Sequence, residues 1–249
     1  MNATIDFNCD LGEGMLNDEQ IMPFISSANI ACGGHAGNRD TMQRTIDFAL
    51  QHGVAIGAHP SFPDTADFGR KDLLAEGLPI TALQDSLREQ LNSLLTLCHE
   101  NNTRLHHVKP HGALYNRAAW DRELAALLIS IVKEFDSTLV IYALSGSEMT
   151  LIANQLGMKC YNEVFADRGY ADDGSLLPRS TPGALHDNPA TAVAQSLQLA
   201  TEGKVKTASG KLIPLKADTI CIHGDGPMAA DFAKLINEGL LAKGVEIKA

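Results

Sequence analysis

Short apolar runs alternate with longer amphipathic stretches from one end of the chain to the other, and this rhythm does most to limit the fold. The runs are Thr4–Cys9, Ala28–Cys32, Val54–Ala58, Leu105–Val108, Leu139–Ala143, Lys159–Phe165 and Thr219–Ile222. Between them lie Thr41–His52, Ile80–Glu100, Asp121–Phe135, Ser147–Leu156, Pro189–Glu202 and Ala229–Leu241. In Ile80–Glu100 the residues Leu83, Leu87, Leu91, Leu94, Leu95 and Cys98 recur at spacings of three and four, which puts them on one face of a helix. Asn38 and Asp121 stand where they can cap the amides of following helices. Strands alternating with helices predict a mostly parallel sheet with helices outside it.

Two architectures satisfy that alternation. A doubly wound open sheet concentrates its chemistry at one switch point, usually after the first strand. Here almost every run is followed at once by polar residues, as in Asn8–Gly14, Cys32–Asn38, Gly57–Ser61, Lys109–Gly112, Ser145–Glu148, Ala166–Gly169 and His223–Gly226. Chemistry spread over all strand ends suits a closed barrel, whose loops converge on one axis. The expectation is therefore an α/β chain forming one irregular parallel β/α barrel of about seven strands over residues 1–249. Lys204–Pro214, with Ser209-Gly210 at its centre, reads as a hairpin inserted before the last strand. Asp64–Leu78 reads as a polar loop long enough to form a lid or rim.

Composition excludes several partners. A net charge of −10 over 249 residues repels phosphate backbones and anionic lipid, so nucleic acid and membranes are not expected partners. The five scattered cysteines form no CxxC pair, which argues against a disulfide framework or a thiolate zinc site. No apolar stretch approaches the length of a membrane span, and no basic-then-apolar leader opens the chain. A reduced, cytoplasmic protein is expected. Nothing in the sequence speaks to homo-oligomerisation.

The candidate site residues sit at the strand ends. Asp10 and Glu13, on a loop with Gly12 and Gly14, suit metal ligation or acid–base work, although Asp10 alone could equally cap a following helix. His35 follows Gly33-Gly34 and His59 precedes Pro60, where glycines and strand ends let a ligand come close. His52, His99, His106 and His186 read as structural, the first two near helix C-termini. The stretch His106–Gly112 is the richest: on a strand His107, Lys109 and His111 point to one side, with Pro110 interrupting before His111. An ammonium beside imidazoles binds an anion, moves protons and favours neutral rings. Asp167, Arg168 and Arg179 supply an acid and two guanidinium forks suited to a carboxylate or phosphate. His223 and Asp225 add a histidine and an acid on the last strand. Phosphate-loop, nucleophile-elbow, zinc-helix and dinucleotide fingerprints are all missing, so no motif supports ATP binding by this chain unaided.

Taken in order, the blocks Ile5–Gly14, Ala28–Asn38, Gly57–Phe62, Val108–Asn116, Glu163–Tyr170 and Cys221–Gly226 resemble the LamB/YcsF family, whose members act as the A component of the prokaryotic 5-oxoprolinase. The resemblance runs the length of the chain. It implies an irregular barrel of the glycoside hydrolase and deacetylase type. It also implies cleavage of 5-oxo-L-proline to L-glutamate with ATP as co-substrate, together with partner subunits B and C. Asp10, His59 and His111 would correspond to the Asp-His-His metal set of the related deacetylases, holding water with or without a divalent metal. Lys109, Arg168 and Arg179 would hold the substrate carboxylate or a phosphoryl group, and Glu13, His35, His223 and Asp225 would move protons or orient. Two rival readings use the same residues: a stand-alone metal-dependent deacetylase or amidohydrolase, and a non-catalytic component that only binds the substrate.

Overall fold

In the computed structural model, which describes residues 3–224, 226 and 228–249, seven parallel strands pair in a ring. In chain order the elements begin β1 (Thr4–Leu11), α1 (Asp18–Ile21), β2 (Ser27–Ala31), α2 (Arg39–His52), β3 (Ala55–His59) and α3 (Ile80–Glu100). They continue with β4 (His107–Val108), α4 (Gly112–Ala118), α5 (Arg122–Phe135), β5 (Val140–Leu144), α6 (Glu148–Gln155) and β6 (Cys160–Phe165). The last are α7 (Pro189–Glu202), β7 (Lys204–Lys206), β8 (Leu212–Pro214), β9 (Thr219–His223), α8 (Ala229–Ala242) and β10 (Glu246–Ile247). Strands β1 to β6 pair in sequence, β9 pairs with β6, and β9 closes the ring on β1 with Asp6 opposite Thr219 and Asp10 opposite His223. The expected hairpin is β7–β8, antiparallel and outside the ring.

The strands read as they do because both of their faces are buried. Along β1, Phe7, Cys9 and Leu11 join the apolar shell under the helices, while Asp6, Asn8 and Asp10 alternate with them and point inward. β2 repeats this with Ser27 and Asn29, β6 with Glu163, and β9 with Thr219 and Cys221. The barrel interior is therefore polar. Gly57 belongs to that interior for a steric reason: a Cβ there would lie 2.0 Å from the His107 ring.

The helices seal the outside. α3 buries Leu83, Leu87, Leu91, Leu94, Leu97 and Cys98, each leucine worth about 1.5–3 kcal/mol of burial. α2 starts on a reciprocal cap in which Asn38 accepts from the Asp40 and Thr41 amides and Thr41 Oγ1 accepts from the Asn38 amide. It stops at Gly53 in the left-handed region, φ 67°. Asp121 caps α5 through the Leu124 amide. Among the described residues no helix is long and apolar enough to cross a membrane.

Three expectations change. Asp10 caps nothing, because it lies within β1 and the next helix begins at Asp18 behind Asn17. The run at Leu105–Val108 shortens to the two residues of β4, yet Pro110 does not end the track. The Lys109 and His111 amides donate to Ala58 and Pro60 of the β3 side, at 2.9 and 2.8 Å, so His111 is still held in line. The rim loop is not a free lid: its Leu73, Leu74 and Leu78 pack against the core.

Candidate active site

A cavity of about 640 Å³ opens at the strand ends. It is lined by Asp10, Glu13, His59, Lys109, His111, Arg168, Arg179 and His223, together with Tyr115, Ser145 and Ser147. The first eight of these are expected site residues, and they share one continuous space. Three others lie directly behind it: His35 stacks on His111 with ring centroids 3.7 Å apart, Asp167 pairs with His223, and His107 sits lower in the barrel. Asp225 falls outside the described residues.

Lys109 is the pivot. Its Nζ lies 2.8 Å from Asp10 Oδ1, 2.9 Å from Glu163 Oε1 and 3.0 Å from Cys221 Sγ. Burial pulls this ammonium down, but the Asp10 and Glu163 carboxylates outweigh it and hold the group well above its ordinary range. Asp10 answers in kind: burial pushes its carboxyl up, and the His59 ring and Lys109 bring it well below the usual carboxylate range. The same burial pushes the Cys221 thiol up, so it stays protonated. A lysine with this much counter-charge is a fixed cation rather than a base.

Beside it stands a group of three imidazoles and one carboxylate. Glu13, His35, His59 and His111 each offer a ligand atom, all within 4.8 Å of one another. His59 Nε2 lies 2.9 Å from His111 Nδ1 and 3.3 Å from Asp10 Oδ2. Glu13 Oε1 lies 3.1 Å from His35 Nε2 and 3.7 Å from His111 Nδ1. Burial, with the neighbouring His59 and His35, drives the His111 imidazolium far out of the physiological range, and burial brings His35 down to about 4. The rim loop fixes His111 from above. Phe68 takes a left-handed conformation, φ 56°, and its carbonyl lies 3.0 Å from His111 Nε2. The next residue must be Gly69, since a Cβ there would meet the His35 Cβ at 2.9 Å and His111 Cδ2 at 3.0 Å.

Of the expected metal set, His59 and His111 fall in this group with Glu13 and His35, while Asp10 lies beside it: Lys109 and the Asn29 amide hold its Oδ1, and its Oδ2 is 3.3 Å from His59 Nε2. His107 does not reach the cavity: its ring stacks on Tyr142 at 4.0 Å and bonds Asn29 Oδ1 at 2.7 Å. It acts on the site only through Asn29, which donates to both Asn8 and Asp10.

The other wall carries the guanidinium groups. Arg168 turns Nε and an Nη to the carbonyls of Ala184 and Leu177, at 3.2 and 2.6 Å, and burial with the nearby Arg179 lowers its pKa. His223 Nδ1 lies 2.8 Å from Asp167 Oδ2, and burial of that carboxyl is outweighed by His223, which keeps it ionised. The residues missed in the sequence are Glu163, Tyr115 and Cys221. Glu163 carried a signal, a lone acid inside an apolar run. So did the alternation of Asp6, Asn8 and Asp10 along β1, which marks a polar interior.

Known structures share the fold. The crystal structure of a lactam utilization protein from Thermus thermophilus superposes with a TM-score of 0.92 at 37% identity, covering 99% of each chain. The peptidoglycan deacetylase PdaC from Bacillus subtilis is similar at a TM-score of 0.52 and 14% identity, over 99% of this chain and 87% of that one. A GH113 beta-1,4-mannanase gives 0.51 at 12%, over 97% and 100%. The last two share the fold alone. The LamB/YcsF family model matches residues 5–249, and the chain belongs to that family.

Proposed function

We propose that this chain is the A component of an ATP-dependent 5-oxoprolinase, which opens 5-oxo-L-proline to L-glutamate together with subunits B and C. The observation that carries the reading is the pairing of a fixed buried cation, Lys109, with uncharged imidazoles on a scaffold similar to a lactam utilization protein. A five-membered lactam is a stable amide, so its carbonyl must be activated and a water delivered to it. Transfer of the γ-phosphoryl of ATP to the amide oxygen supplies the activation and makes that oxygen a leaving group. This chain carries no phosphate-loop motif to support binding the nucleotide unaided.

Within the cavity Lys109 stabilises negative charge on the lactam oxygen. The His59–His111 pair, flanked by Asp10, takes a proton from the attacking water. The new C–O bond forms as the C–N bond breaks, and the ring nitrogen takes up a proton, for which His223 held by Asp167 is the candidate donor. That leaves an acyl phosphate on the side chain, which a second water hydrolyses to the carboxylate and inorganic phosphate. Arg168 and Arg179 suit the substrate carboxylate. A cavity of about 640 Å³ is roomy for one small lactam and leaves space for a phosphoryl group beside it.

His111→Ala and Asp10→Ala are expected to lower glutamate release by the reconstituted complex by about a thousandfold or more, with this chain still folded. Full activity in either variant contradicts the site assignment. The imidazole group also favours a second reading, an ATP-independent metal-assisted amidohydrolase. Amide hydrolysis by the isolated chain without nucleotide would support it.

A further inference from the structure

Two imidazoles of the cavity turn one ring nitrogen each toward the same buried point. The Lys109 carbonyl lies 2.7 Å from His59 Nδ1, and the Phe68 carbonyl lies 3.0 Å from His111 Nε2. A carbonyl only accepts, so each of these nitrogens carries a proton, and the other nitrogens, His59 Nε2 and His111 Nδ1, are the ones presented to the cavity. They are 2.9 Å apart. Glu13 Oε1 approaches the second at 3.7 Å and Asp10 Oδ2 the first at 3.3 Å. With His35 this gathers one carboxylate and three imidazoles whose ligand atoms lie within 4.8 Å of one another, the convergence of donors that a cation needs.

We propose that Glu13, His59 and His111 bind a divalent transition-metal ion, with His35 orienting the Glu13 carboxylate. Imidazole nitrogens select zinc, cobalt, iron or nickel over magnesium and calcium, which prefer oxygen. Two histidines and one glutamate leave a coordination position open, the pattern of catalytic rather than structural zinc. The carbonyls of Lys109 and Phe68 are the outer partners that such histidines need, because they fix tautomer and ring orientation. His35 Nε2 at 3.1 Å from Glu13 Oε1 does the same for the carboxylate. Lys109 and Asn29 hold Asp10 Oδ1, and its Oδ2 lies 3.3 Å from His59 Nε2 beside the group. Binding itself does not rest on the 5-oxoprolinase reading. Only its role does: a metal held there would supply a water ionised near neutral pH, in place of deprotonation by the His59–His111 pair.

The isolated chain, stripped with a chelator and returned to buffer, is titrated with cobalt(II) and then zinc(II). One equivalent of cobalt(II) is expected to bind with intense visible absorption, and zinc(II) to displace it. Glu13→Gln and His111→Gln should weaken binding by about a hundredfold or more, whereas His99→Gln on the outer face of α3 should leave it unchanged. Should the site variants fail to fold, X-ray absorption of the zinc-loaded wild type decides, with scattering from two imidazoles expected. No uptake of either ion by the folded stripped chain overturns the proposal and leaves a shared His59–His111 proton as the explanation. Binding unchanged in both site variants, or a spectrum without imidazole, overturns it too. A chain that takes up no metal yet releases glutamate with its partners and ATP refutes this inference alone. Metal uptake without glutamate release refutes only the function.

Discussion

Two polar layers lie one above the other inside the barrel, and they are built to opposite rules. In the lower layer every oxygen of Asp6 is used: Oδ1 accepts from Ser26 and Ser27 at 2.6 and 2.7 Å, and Oδ2 accepts from Thr219 at 2.5 Å. Tyr142 meets Ser27 and stacks on His107, whose ring bonds Asn29. In the upper layer His35 Nδ1, Ser147 Oγ and Asp167 Oδ1 are buried with no hydrogen-bond partner, and ring nitrogens of His59 and His111 meet at 2.9 Å. A saturated buried network rigidifies a fold, while an unsaturated one at a cavity mouth is a place that expects a ligand. Asn29 and Asn8 join the two layers.

That contrast can be broken at several points. Lys109→Met strips the counter-charge from Asp10 and Glu163, and about 3–5 kcal/mol of stability should go with it, read by denaturant unfolding. A loss well under about 1 kcal/mol would mean those carboxylates are not buried as ions. Acid should act next most strongly. His35, at about 4, and His107, pushed down by burial and by His106 and Lys109, are neutral in the fold, whereas an unfolded histidine protonates near 6.5. Their folded values lie below the unfolded one, so the stability they confer is complete above about pH 6.5 and is lost as pH falls toward about 4. His35 alone should account for about 3 kcal/mol of loss over that window, with His107 adding to it. Urea midpoints measured between about pH 7.5 and 4 should show it, and His107→Gln should flatten the curve. A flat wild-type profile contradicts the assignment.

Asp6→Asn probes the lower layer alone. It should cost about 1–3 kcal/mol while leaving turnover per folded molecule unchanged in the reconstituted complex. A selective loss of turnover would erase the distinction between the layers. Asn38→Ala sets the smallest effect, about 1 kcal/mol from the lost cap of α2, with no change in the cavity.

Much of the fold was legible because each layer of the barrel repeats a simple period. Ile80–Glu100 and Pro189–Glu202 match their helices end to end, since their apolar spacing and flanking residues agree. α4 was not legible: it opens on Gly112 at φ 56°, beside a Gly69 carbonyl that no local pattern reveals. β10 is two residues long and exists only because it pairs with β1. In the site, strand-end position found Asp10, Glu13, His59, Lys109 and His111. The partition among them was not legible, because it depends on which carboxylate the Lys109 ammonium occupies across the barrel. His107 misled for a related reason: period two puts it on the same side as Lys109, but one layer deeper.

The central claim is that this cavity serves the opening of a lactam driven by ATP. Glutamate release from 5-oxo-L-proline, followed for the chain with ATP in the presence and absence of subunits B and C, tests it most directly. Stoichiometric glutamate and phosphate are predicted from the full mixture, and none when this chain is replaced by its His111→Ala variant. A full mixture that is folded and assembled yet releases no glutamate would contradict it.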